Sequence, residues 1–93
     1  MVIGACKIVL RIPDSQSLKS KRYIVRKIKD RVRHRFNVSI SEVDDQDLWQ
    51  VTSIGFATVS NDRKIVQSTL DQVVNMVEDM GVGELLDYTI EIL

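Results

Sequence analysis

Alternating β-branched residues at the start of the chain, two amphipathic helical segments and a four-residue link between two central β-type segments predict an α+β fold. The element order is β-α-β-β-α-β, and the short link indicates a hairpin. Right-handed crossovers then give the ferredoxin-like sandwich, a four-stranded antiparallel sheet with both helices on one face. The 44% apolar content suits one core, so residues 1–93 are expected to form a single domain.

The first strand and the first helix are marked by different hydrophobic periods. Residues 2–12 alternate as a strand does, and a turn at 13–17 supplies serines that can cap the following helix. That helix is expected to end near Arg35. The buried face of the strand is predicted to carry Val2, Gly4, Cys6, Ile8, Leu10 and Ile12. The buried stripe of the helix is predicted to carry Leu18, Val25, Ile28 and Val32, with Ile24 alongside.

The rest of the chain supplies the other four elements. A capping cluster precedes the second helix, and a glycine closes it. These elements are expected at 36–43 (strand), 49–59 (strand), 63–80 (helix) and 85–93 (strand), with an acidic turn at 44–47.

The third strand has two interpretations, because either alternate set of its apolar residues can form the buried face. Small residues at 55 and 57 would let a helix approach closely, which favours Ile54 and Phe56 on the open face of the sheet. That face then holds an apolar patch of Ile3, Val9, Ile54 and Phe56. Such a patch suits self-association, so a homodimer is a candidate assembly.

RNA-recognition modules with this fold stack bases on aromatic residues of the two central strands. That signature is mostly missing here, since the first strand has no aromatic residue and the third has Phe56 alone, with Trp49 at its start. Trp49 is expected to be a packed anchor.

Charge is divided sharply along the chain, although the net charge is zero. Residues 1–36 hold 11 Lys or Arg against two acids, a net charge of +9, whereas residues 37–93 hold two basic residues against 11 acids, a net charge of −9. Such asymmetry favours an interaction with nucleic acid or another acidic surface. The alternative is a helix that carries dense charge only to remain solvated.

The predicted first helix carries most of the positive charge. Spacings of three and four residues align five cations, here called the ridge: Lys19, Arg22, Arg26, Lys29 and Arg33. At 1.5 Å per residue the ridge spans about 21 Å, the length of several phosphates of a nucleic-acid strand. Contacts of this kind give affinity without base readout, which favours structured RNA, ribosomal RNA in particular. Further phosphate contacts are predicted for Lys21, Lys7 and Arg11.

No catalytic, metal or cofactor site is expected. His34 and Cys6 are the only residues of their types and lie on elements whose predicted faces do not meet, so a nucleophile and base pair is not indicated. The acidic turn lacks the spacing and glycine of a calcium loop and is better explained as solvated. It could also dock on the basic helix of a second copy, an association that salt would weaken.

The compartment is expected to be the cytoplasm. The amino terminus has no basic leader, no apolar run approaches the length of a membrane span, and a lone cysteine suits a reducing environment.

Four short segments are distinctive: SLKSKR at 17–22, RFNVS at 35–39, SEV at 41–43 and DLWQ at 47–50. With VSND at 59–62, they resemble the YlxP-like family of small bacterial proteins across essentially the whole chain. The resemblance implies a ferredoxin-like fold, a function not yet established, and genes near those for translation initiation and ribosome maturation. It brings no catalytic residues, and Asp45 stands where the family often has histidine.

Overall fold

A computed structural model describes all 93 residues. Four strands form one antiparallel sheet in the order β2-β3-β1-β4. With the two helices this confirms the ferredoxin-like α+β fold. The elements are β1 (Val2–Arg11), α1 (Leu18–Arg35), β2 (Ser39–Asp44), β3 (Val51–Ser60), α2 (Arg63–Asp79) and β4 (Glu84–Ile92).

The core lies between the sheet and the two helices. In β1 the predicted alternation holds, since Cys6, Ile8 and Leu10 are buried while Lys7 and Arg11 are exposed. Both helices bury a stripe at spacings of three and four residues, as amphipathic helices do. The stripe of α1 is Lys21, Val25, Ile28 and Val32, and that of α2 is Val66, Leu70, Val73, Val74 and Val77.

Both helices begin at side-chain caps that the sequence indicates. The hydroxyl of Ser17 accepts a hydrogen bond from the backbone N–H of Ser20 at 3.1 Å, and Asp62 accepts one from Lys64 at 2.8 Å. These bonds satisfy amide groups that the first turn leaves without partners.

The prediction that Ile54 and Phe56 lie on the open face is wrong. In the antiparallel register Ile54 pairs with Ile8 and Phe56 with Cys6, and directly paired residues share a face of the sheet. Both side chains therefore point toward the helices, with exposed fractions of 0% and 3%. The close approach of a helix occurs at Gly4 instead, where an added Cβ would collide with Cγ1 of Val66 on α2.

Two predicted strands are also shorter than expected. Residues 36–38 precede β2 and make no ladder, and β3 begins at Val51, so Trp49 lies in the loop before it. The pairing of β2 with β3 shifts register between Glu42 and Asp44, and this irregularity leads into the loop at 45–50.

Candidate nucleic-acid interface

Almost all cations of α1 are free of acidic partners. The chain contains three ion pairs within 4.0 Å, and α1 takes part in only one of them, through Lys21. No carboxylate of this molecule therefore neutralises the others, which are Lys19, Arg22, Arg26, Lys27, Lys29, Arg31, Arg33 and Arg35. The helix presents a positively charged surface that intramolecular contacts leave available.

The last residue of the ridge contacts the edge strand β2. The guanidinium of Arg33 donates a hydrogen bond to the carbonyl oxygen of Ile40 in β2 at 3.1 Å. Lys29 is half-buried, whereas Lys19, Arg22 and Arg26 are exposed. These last three side chains are the ridge residues most open to a polyanion.

The prediction that Lys21 contacts phosphate is wrong, because its side chain is fully buried. Its Nζ donates to the backbone carbonyls of Asp45 at 2.7 Å, Gln46 at 3.2 Å and Val51 at 3.1 Å. The same ammonium lies 3.1 Å from a carboxylate oxygen of Glu42. The sequence does contain a sign that Lys21 is buried. It stands four residues before Val25, which places both residues on the buried stripe of α1.

Polar contacts also fix the loop that Lys21 reaches, residues 45–50. The hydroxyl of Ser53 donates to the carboxylate of Asp45 at 2.6 Å. The side-chain amide of Gln50 donates to the carbonyls of Pro13 at 3.2 Å and Ser15 at 3.3 Å. The loop is thus held to α1, to β3 and to the turn before α1.

This loop displays Trp49 to solvent. Its exposed fraction is 57%, and the neighbouring Leu48 is 50% exposed. The expectation that Trp49 is a packed anchor is wrong, because the residue precedes β3 instead of pointing from it into the core.

Lys7 and Arg11 lie on the open face of the sheet, on the opposite side from α1. Lys7 is 3.6 Å from a carboxylate oxygen of Asp44, and Arg11 is 3.8 Å from one of Glu84. They cannot extend the ridge, because the sheet lies between them and α1. Any contact they make with a polyanion belongs to a separate surface.

Without Ile54 and Phe56, the open face is less apolar than expected. Ile3 and Val9 are half-buried there, and Val59 is exposed. Small residues leave a shallow hollow of about 400 Å³ at the centre of this face, over Ala5, Gly55 and Ala57. Self-association through this face remains a prediction, now with a smaller apolar patch.

The remaining chemical groups are dispersed. Cys6 is buried, and burial together with the nearby Asp71 raises the pKa of its thiol to about 11. His34 is exposed and lines a surface hollow with Met76.

No three His, Cys, Asp or Glu residues are grouped so that they could hold a metal ion. Neither helix has the length and apolar character required to cross a bilayer.

These features define a ferredoxin-like protein with one cationic helix free of intramolecular ion pairing over most of its length. The chain belongs to the family described as protein of unknown function (DUF503), whose model matches residues 3–90. It is 42% identical over 77 residues to the uncharacterized protein YlxP of Bacillus subtilis (strain 168), a match covering 83% of this chain and 84% of YlxP. The predicted resemblance to YlxP-like proteins is confirmed.

Proposed function

We propose that this protein is a non-catalytic cytoplasmic accessory factor that binds RNA, ribosomal RNA in particular, through phosphates contacting α1. The observation that supports this proposal is the set of eight α1 cations without a carboxylate within 4.0 Å. Like charges three and four residues apart destabilise an isolated helix by about 0.2–0.5 kcal/mol per pair. A polyanion along the helix relieves that repulsion and releases its own counterions.

Two variants with the same loss of charge separate a surface effect from a net-charge effect. The first replaces the exposed ridge residues: Lys19→Gln, Arg22→Gln and Arg26→Gln. The control lowers the net charge by the same amount on α2, by Arg63→Gln, Lys64→Gln and Gln72→Glu at exposed positions. Binding of each to a labelled ribosomal RNA fragment is measured by fluorescence anisotropy across a salt series, and co-sedimentation with ribosomal subunits provides a second measurement.

The ridge variant is expected to lose most of its affinity, and its plot of log K against log salt should become shallower by about 2–3 units, close to 0.7–0.9 per lost phosphate contact. The control variant should retain affinity close to that of the wild type. Equal losses in both variants would show attraction by net charge alone. Absence of wild-type binding at low salt would refute the proposal outright.

A second candidate function is self-association through the open face. It is favoured by the shallow hollow over Ala5, Gly55 and Ala57, which a side chain of a second copy could fill, and by the exposed Val43 and Val59. Sedimentation velocity tests it. A dimer that dissociates on Val59→Asp but persists in the ridge variant would support this candidate.

A further inference from the structure

The loop at 45–50 presents the only tryptophan of the chain to solvent. Tryptophan is a highly buried residue on average, because its large ring gains much from leaving water. Here the ring is exposed although the backbone beneath it is held firmly. An exposed aromatic side chain on an ordered backbone is the arrangement that base-stacking proteins use.

The residue that holds this loop is Lys21. Its fully buried ammonium binds the carbonyls of Gln46 and Val51, which lie on either side of Trp49 in the sequence. Burying an ammonium is costly unless all its donors are satisfied, so the loop has little freedom to move away. Gln50 adds two hydrogen bonds to the turn before α1.

Lys21 also ties the loop to the first turns of α1, where the ridge begins. It stands between Lys19 and Arg22, which are two of the most exposed ridge cations. Trp49 is two residues from Val51, whose carbonyl Lys21 binds, and two residues span at most about 7 Å. The ring therefore lies within a few nucleotides of the phosphates that the first turns of α1 would contact.

The charges around Trp49 select which part of a nucleotide can approach it. Asp44 pairs with Lys7 and the carboxylate of Asp45 accepts from Ser53, while Asp47 has no cationic partner. These acids repel phosphate from the loop. An uncharged base, in contrast, can lie against the indole face.

We propose that Trp49 stacks on an unpaired base of the RNA strand whose phosphates lie along α1, with Lys21 as the positioning residue. This inference rests on the proposed function and narrows it to RNA with single-stranded segments. Paired bases inside a duplex do not offer a free face, so a continuous duplex of the same charge should engage the ridge alone.

Intrinsic fluorescence reports directly on this site, because no other tryptophan contributes. The probes are an unlabelled 12-nucleotide single-stranded RNA and a blunt-ended RNA duplex of two complementary 12-nucleotide strands, which has no unpaired base. Affinities are measured in parallel by anisotropy with labelled copies. The single strand should quench Trp49 emission, and the duplex should not. Trp49→Ala should weaken single-strand binding by about 5- to 150-fold with an unchanged salt slope, and Trp49→Phe should restore most of it.

Tyr88→Ala is the matched control, because Tyr88 is a similarly exposed aromatic residue, at 49%, on β4. It should leave single-strand affinity unchanged. Lys21→Met tests positioning, but it could unfold the protein. Gln50→Ala is a milder change that removes only the two hydrogen bonds from the loop to the turn before α1. It should reduce the quenching of Trp49 by the single strand and leave the affinity for the duplex unchanged.

The outcomes separate the two proposals. RNA binding by anisotropy without quenching, and with Trp49→Ala indistinguishable from wild type, would overturn the stacking inference and leave the phosphate interface standing. If neither the single strand nor the duplex binds the wild type, both the proposed function and the stacking inference are overturned.

Discussion

The ammonium of Lys21 lies 3.1 Å from the carboxylate of Glu42, and three backbone carbonyls complete its surroundings within 3.2 Å. Glu42 is itself largely shielded, and it accepts a hydrogen bond from the hydroxyl of Thr52 at 2.6 Å. One side chain of α1 thus satisfies acceptors from β2, from the loop at 45–50 and from the start of β3.

Replacement of Lys21 by methionine should destabilise the protein strongly. Methionine fills a similar volume but removes the positive charge beside the Glu42 carboxylate and one donor from each of three carbonyls, and breaking a buried pair in this way costs about 3–5 kcal/mol. The free energy of unfolding is measured by urea denaturation. Lys19→Met is the control, since an exposed substitution two residues away should change that free energy by less than about 0.5 kcal/mol.

Ile54→Ala should cost about 2–5 kcal/mol of unfolding free energy, because it opens a cavity in the core between the sheet and the helices. Val59→Ala, on the open face of the same strand, should cost under about 1 kcal/mol, since its side chain is already in water. Urea denaturation of both variants checks the orientation of β3. A larger effect at Val59 would contradict the register described above.

Gly4→Ala should destabilise the protein by about 1–3 kcal/mol, because the new methyl group meets the buried side chain of Val66 and helix α2 must move. Gly55→Ala is the matched change on the open face. There the new Cβ lies 3.0 Å from Cγ1 of Val43, a half-exposed side chain that can shift, so the cost should be under about 1 kcal/mol. Thermal unfolding of the pair under identical conditions measures the difference.

The thiol of Cys6 should make stability depend on alkaline pH. Burial raises its pKa from 9.0 to about 11, so the folded protein holds this proton more tightly than the unfolded chain does. The resulting stabilisation is complete below pH 9 and is lost as pH rises toward 11, by about 2–3 kcal/mol in total.

Urea titrations of wild type and Cys6→Ala at several pH values isolate this contribution, because other groups titrate equally in both proteins. The difference in unfolding free energy should move in favour of Cys6→Ala between pH 9 and pH 11. Parallel curves would contradict a buried thiol with a raised pKa. The native thiol should also react slowly with alkylating reagents at neutral pH.

Periodicity was sufficient to predict the element order, since the alternation of β1 and the stripes of both helices are strong and long. It failed in β3, where apolar residues occupy both faces and only pairing with Cys6 and Ile8 decides which set is buried. Strand pairing is a tertiary choice that a local pattern does not encode.

The candidate interface divides in the same way. The spacing of the ridge predicted a cationic surface, and the structure leaves its members without acidic partners. Lys21 was predicted as a further phosphate contact, because the composition of the chain does not show that its side chain binds backbone carbonyls 24 to 30 residues away. The exposure of Trp49 was missed because the loop before β3 is longer than the predicted turn.

The sheet separates α1, which packs on one face, from the open face on the other side. A ligand bound to α1 therefore leaves the open face free, and both surfaces can be occupied at once. If the two proposals above hold, one molecule could therefore bind RNA through α1 and a second copy through the open face of the sheet at the same time.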